Sequence, residues 1–159
     1  MRARRVAIVA MAASLAGCGG STLPGGPPPL SPSTVAALSA QVPPQVARFV
    51  ADLRGTGANI YAVEVLRPES SFAWIPVPAT RILVGGDRLH AFEYATVEDV
   101  EAALLGTSPD AQEFASAQVF WLSDPHIYRR DRMIVLYVGT SRGILELLTR
   151  FLGPQVAGV

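Results

Sequence analysis

The residues Asp124-Pro125-His126-Ile127-Tyr128-Arg129-Arg130 bring a carboxylate, an imidazole, a phenol and two guanidinium groups close together in the chain. An imidazole beside a carboxylate titrates near neutral pH and can act as general acid or base. On an extended backbone side chains alternate, which puts Asp124, His126 and Tyr128 on one face and Ile127 and Arg129 on the other. Asp124, His126, Tyr128, Arg129 and Arg130 are therefore the candidate binding residues. The plainer reading of the same stretch is a packed histidine and tyrosine at a strand end, with solvated arginines at a turn. His90 lies in register with Phe92 and Tyr94, on an aromatic sheet face, and meets His126 only if two hairpins adjoin. Their spacing lacks the local pairing of a zinc motif, so no metal ligand, cofactor or catalytic residue is assigned.

Two further features bear on chemistry. Gly139-Thr140-Ser141-Arg142-Gly143 stands between an expected strand and an expected helix, where backbone N–H groups could cradle an anion. It lacks the lysine and spacing of a P-loop, and capping by Thr140 or Ser141 explains it more simply. The same five residues also spell Gly-x-Ser-x-Gly, the letters of a nucleophile elbow, and no catalytic role is assigned to Ser141.

Several elements must position these groups. Val46, Phe49, Val50 and Leu53 fall at i, i+3, i+4 and i+7 and predict a helix over 44–54, with Pro44 in its first turn and Gly55 as its stop. A strand is expected at 60–66. Prolines 68, 76 and 78 make the next stretch irregular, with Phe72, Trp74 and Ile75 as a short strand or an apolar flap. Residues 81–84 and 89–94 flank Gly85-Gly86-Asp87 as a hairpin. Thr96 and Asp99 form a capping box that opens a helix over 97–105. Residues 107–115 read as a polar connection. Residues 119–122 and 133–138 are apolar on both faces and read as interior strands, joined through a charged stretch that looks like an exposed turn. A last helix is expected over 141–152. Strands joined by short turns with helices between the groups predict an α+β fold, an antiparallel sheet with helices packed on it, with the ferredoxin-like arrangement as one candidate.

Only one cysteine, Cys18, is present, which excludes an intrachain disulfide. Three of the 13 basic residues, Arg2, Arg4 and Arg5, stand before it. Beyond them 10 basic residues face 13 acidic ones, a net charge of −3, so the expected domain offers no basic field for nucleic acid.

The arginines, the apolar run Val6 to Leu15 and the closing Leu15-Ala16-Gly17-Cys18 have the tripartite layout of a secretory signal. That run is too short for the roughly 20 residues of a membrane-spanning helix. Leu-Ala-Gly-Cys resembles the lipobox of bacterial lipoproteins. The resemblance implies lipidation of Cys18 by diacylglyceryl and fatty acyl chains such as palmitate, cleavage of residues 1–17, and a membrane-anchored product of the cell envelope. Gly19 after the cysteine favours the outer membrane in a host with two membranes. Residues 18–32, rich in Gly, Ser and Pro, read as a tether, and 33–159 as a single α+β domain opening with a short helical turn at 33–40.

The mature domain also resembles short lipoproteins of unassigned activity that carry a Phe-x-Tyr-Ala strand end and a Pro-His-x-Tyr-Arg segment, here Phe92 to Ala95 and Pro125 to Arg129. The expectation is a non-catalytic binding or interaction domain, with the membrane as one partner through Cys18 and an envelope protein as another. The alternative is a hydrolase or metal-dependent enzyme centred on His126, Asp124 and Tyr128. Geometry separates them, since an enzyme needs those side chains converging in a concave pocket.

Overall fold

A computed structural model describes residues 42–66, 72 and 74–159. The signal, the tether and the turn at 33–40 lie outside the described residues.

The first helix, α1 (Pro44–Gly55), buries the expected Val46, Phe49, Val50 and Leu53. Its stop lies two residues beyond Gly55, where Gly57 takes the left-handed conformation, with its N–H on the carbonyl of Arg54. Three strands follow as a meander: β1 (Ile60–Val65), β2 (Ala79–Val84) and β3 (Asp87–Glu93). Gly85 and Gly86, both at positive φ, make the two-residue turn between β2 and β3 that the composition demanded. Helix α2 (Val97–Leu105) carries the full capping box of Thr96 and Asp99. A small hairpin, β4 (Glu113–Phe114) and β5 (Ala117–Gln118), precedes the longer pair β6 (Pro125–Arg130) and β7 (Met133–Val138). Helix α3 (Arg142–Leu152) and the short β8 (Ala157–Gly158) complete the chain.

The main sheet has six strands in the order β1-β2-β3-β7-β6-β8, with every pair antiparallel. This is the expected α+β class. The ferredoxin-like arrangement is not the one seen, because β1, β2 and β3 follow one another as neighbours and elements cover both faces of the sheet.

Each face has its own core. On one, α1 and α3 pack over Val63, Ile82, Leu89, Val135 and Tyr137. On the other, Val100 of α2 and Phe114 of the small hairpin pack over Phe92, Ile127, Ile134 and Leu136. Strand β7 lies between β3 and β6 under both layers, so successive residues face opposite cores. That double cover is why Met133–Val138 reads as a continuous apolar run. Among the described residues no helix is long and apolar enough to cross a membrane.

The expected strand at 119–122 is absent. Phe120 and Leu122 are 95% and 103% exposed, and the partner of β7 is β6, built from the stretch that read as an exposed turn. The physical reason is local. Ile127 and Tyr128 fill opposite cores, while Arg129 and Arg130 end the strand at helices that supply carboxylates. The connection at 107–115 likewise holds more structure than its polarity promised, since Ala111 and Phe114 are buried.

Candidate functional site

Strand β6 carries the candidate binding residues and disperses them. His126 and Tyr128 face α1 and α3, opposite Tyr137 and Val135 of β7. His126 is only 5% exposed, its ring stacked on Tyr137 with centroids 5.8 Å apart. Its Nε2 lies 3.0 Å from the carbonyl oxygen of Gly139 and its Nδ1 2.8 Å from Oε1 of Gln155. The carbonyl can only accept, which places a hydrogen on Nε2. The Gln155 amide can serve Nδ1 in either protonation state, by its NH₂ end or its oxygen. Tyr128 is buried in the core beneath the helices. Asp124 precedes the strand and is exposed; its backbone carbonyl accepts from the N–H of Gly139.

The two arginines part in the same way. Arg129 reaches Glu101 of α2 at 3.2 Å, on one side of the sheet. Arg130 reaches Asp52 of α1 at 3.4 Å and the carbonyl of Phe151 at 3.2 Å, on the other. Among the described residues no concave site gathers Asp124, His126, Tyr128, Arg129 and Arg130.

The hairpins that bear the two histidines do adjoin, through the pairing of β3 with β7. The histidines nonetheless lie on opposite faces, because His90 stands opposite Leu136 and His126 opposite Tyr137. His90 keeps the expected register with Phe92, and the ring of Phe72 packs edge-on against both, at 4.6 Å and 5.3 Å. Burial, and then the charges of Arg88 and Arg81, push the His90 imidazole down to about 4. The stretch that read as a strand or flap thus seals one end of the second core, with Ile75 buried. Among the described residues no group of three or more His, Cys, Asp or Glu side chains could hold a metal ion.

The glycine-rich loop before α3 is used by the fold. The hydroxyl of Tyr137 accepts from the N–H of Ser141 at 3.0 Å and donates to Asp87 at 2.8 Å. Ser141 is the N-cap, yet its side chain makes no capping bond, so a tyrosine supplies the capping expected of Thr140 or Ser141.

A concave site lies elsewhere. The residues just after β3, helix α2, the Pro76-Val77 segment and the β4–β5 turn border an open cleft of about 390 Å³. Its wall is mostly small and apolar, with Ala95, Ala102, Ala103 and Ala115, and it includes Tyr94, Asp99 and Ser116. Tyr94 is held from behind by Arg132, whose Nη1 donates to the carbonyls of Tyr94 and Ala95 at 3.1 Å and 2.9 Å. The Tyr94 side chain is 3% exposed and its hydroxyl has no hydrogen-bond partner. Burial, and then the Asp99 carboxylate, push that phenol up to about 12, so it stays protonated at neutral pH. Sequence alone placed Tyr94 on the aromatic face but gave no sign of the cleft, since its walls come from four separate segments.

A second concavity of about 430 Å³ borders Phe120, Trp121, Pro125 and Val159, beside the exposed Leu122. Compared with models of known protein families, with curated proteins and with solved structures, the chain finds no match.

Proposed function

We propose that the chain is an exported cell-envelope lipoprotein, anchored through lipid on Cys18, whose α+β domain is a non-catalytic binding or interaction module. In a host with two membranes the outer membrane is the favoured address. The ordered arrangement of arginines, apolar run and Leu15-Ala16-Gly17-Cys18 supports the anchor. The observation that carries the non-catalytic reading is His126. Both of its ring nitrogens are engaged within the fold, and Asp124, the nearby carboxylate, is exposed at the surface. An acid–base pair needs a free nitrogen within reach of a substrate.

Native and denaturing mass spectrometry of the protein recovered from bacterial envelopes tests this. The expected product begins at Cys18 and carries a diacylglyceryl group and an amide-linked acyl chain, with no stoichiometric metal. A product without lipid overturns the anchor. A stoichiometric divalent metal overturns the non-catalytic reading and returns attention to His126, Asp124 and Tyr128.

A further inference from the structure

We propose that the tip formed by Phe120, Trp121 and Leu122 dips into the surface of a zwitterionic phospholipid bilayer and sets how the domain stands on the membrane. The inference rests on the anchored reading above and deepens it, by giving the domain a second, shallow contact with lipid.

The fold holds these side chains outward. Burial alternates along the residues that follow β5: Val119 and Trp121 pack against the second core, whereas Phe120 and Leu122 are almost wholly exposed. The N–H of Val119 bonds to the carbonyl of Gln112 at 2.9 Å, the indole N–H of Trp121 donates to the carbonyl of Ala111 at 2.6 Å, and Pro125 opens β6. The tip is thus tied down on both sides, and inserting its outer side chains orders little more of the chain. Val159, also exposed, shares with Phe120 the wall of the neighbouring concavity and extends the apolar surface.

Three arguments select lipid as the occupant. The first is shape. Protein partners anchor in packed pockets, which side chains standing clear of their neighbours do not offer, whereas a fluid bilayer moulds itself around them. The second is charge. No Lys or Arg occurs between Arg88 and Arg129, and the concavity beside the tip carries Asp110, Gln112 and Gln118. The glutamine amides can donate to a phosphate and the carboxylate can meet an ammonium, the two halves of a zwitterionic headgroup. Hydrogen bonds from Ser108 and then from the N–H of Gln112 hold the Asp110 carboxyl below its usual range. A second copy docked about a two-fold axis would therefore set like charges together. The third is reach. The 23 residues from Gly19 to Gln41 span at most about 80 Å, against about 20 Å for the length of β6, so a lipid on Cys18 leaves the tip free to meet the same bilayer.

Both cores are built from residues in the range 42–159, so a chain of residues 19–159 contains the whole folded unit, and it has no cysteine. A hexahistidine tag at its N-terminus holds that chain on phosphatidylcholine vesicles doped with nickel-chelating lipid, whether or not Cys18 is lipidated in the cell. Leu122→Cys then supplies the only thiol for a polarity-sensitive NBD label. Ala51→Cys, at an exposed position of α1 across the sheet, is the reference. Vesicles are expected to shift the emission at position 122 to the blue and to let nitroxides on the upper acyl chain quench it, with no change at position 51. Phe120→Ser in the Leu122→Cys chain should lower the ratio of inserted to free tip about tenfold, the effect of one apolar side chain left out of the bilayer. Added phosphatidylglycerol should lower it as well, because the rim is acidic. Emission at 122 that vesicles leave unchanged overturns the proposal, as do equal insertion in Phe120→Ser or a gain with phosphatidylglycerol. A shift that grows with protein concentration in the absence of vesicles assigns the tip to a second copy and overturns it too. Such a failure bears on the tip only, since the anchor is decided by the mass of the envelope-derived protein.

Discussion

The carboxylate of Glu93, at the end of β3, accepts the N–H of Gln45, 48 residues earlier, at 2.7 Å and so caps α1. Pro43, the N-cap of α1, has no side chain able to do this. The same oxygen takes the N–H of Val46 at 3.2 Å, and the other oxygen pairs with Arg132 at 3.2 Å. The Glu93 side chain is 6% exposed, so removing it leaves donors with little access to water. Glu93→Ala is expected to lower stability by about 2 kcal/mol, and Glu93→Gln by roughly half that, since an amide oxygen still caps. Urea unfolding of both variants checks the order. Equal stability of Glu93→Ala and the parent would remove the capping role.

Thr80 is wholly buried on β2, and its hydroxyl has no partner. Thr80→Val replaces an unsatisfied hydroxyl with a methyl group of the same shape. The variant should be as stable as the parent or up to about 1 kcal/mol more stable, because the polar group gains nothing in the folded state. A loss of stability in thermal or urea unfolding would point to a bond that the hydroxyl makes in solution.

His90 should make stability depend on pH. Its folded pKa, about 4, lies below the 6.5 of an ordinary histidine. Between those values the unfolded chain holds the proton and the folded chain does not, so stability falls as pH drops through this window and levels off below about 4. The contribution is on the order of 2 kcal/mol between pH 7 and pH 4. His90→Gln should lose correspondingly less over that range. Parallel unfolding profiles for the two proteins would show that His90 titrates normally.

His126 joins β6 to the loop before α3 and to the segment before β8. His126→Phe keeps an aromatic ring against Tyr137 but strands the carbonyl of Gly139 and the amide of Gln155. The expected loss is about 2 kcal/mol. Amide exchange should quicken around Gly139 and Gln155 before it does in α1. A fully stable variant would mean that the ring serves something other than the fold.

Gly158 stands at φ +111, where an added Cβ would collide with the carbonyl of Pro125. Gly158→Ala should release β8 from β6 at a cost of roughly 1 to 3 kcal/mol of local stability. Faster amide exchange at Val156 and Val159, whose N–H groups bond to Ile127 and Pro125, would report it. Unchanged protection there would show that the edge tolerates the side chain.

Much of the fold was legible because it is written in local signals. The heptad-like spacing of Val46, Phe49, Val50 and Leu53, the capping box of Thr96 and Asp99, and the paired glycines 85 and 86 each fix an element within a few residues. The stretch from Val119 to Arg130 misled for a tertiary reason. Phe120 and Leu122 are as apolar as a core strand yet stand in solvent, while Arg129 and Arg130 look solvated yet end a strand because Glu101 and Asp52 meet them. Those partners belong to helices remote in sequence. The candidate residues of β6 were found by chemical type, and their division between two faces follows from the alternation the sequence implied. That both faces are covered follows only from the packed layers. The cleft at Tyr94 had no sequence signal, because its mostly small and apolar lining comes from four separate segments.

The pairing of β3 with β7 also sets an order of assembly. The β2–β3 and β6–β7 hairpins each close through a turn of two residues. The seam between them sets Leu89 against Tyr137, and the bond from Tyr137 to Asp87 that crosses it spans 50 residues. Closing so long a loop loses chain entropy before any seam contact forms, so the two hairpins come first and their union last. Until that union, one edge of Met133–Val138 has no neighbour, and the strand most completely enclosed in the finished protein is the one most open to pairing with another nascent chain.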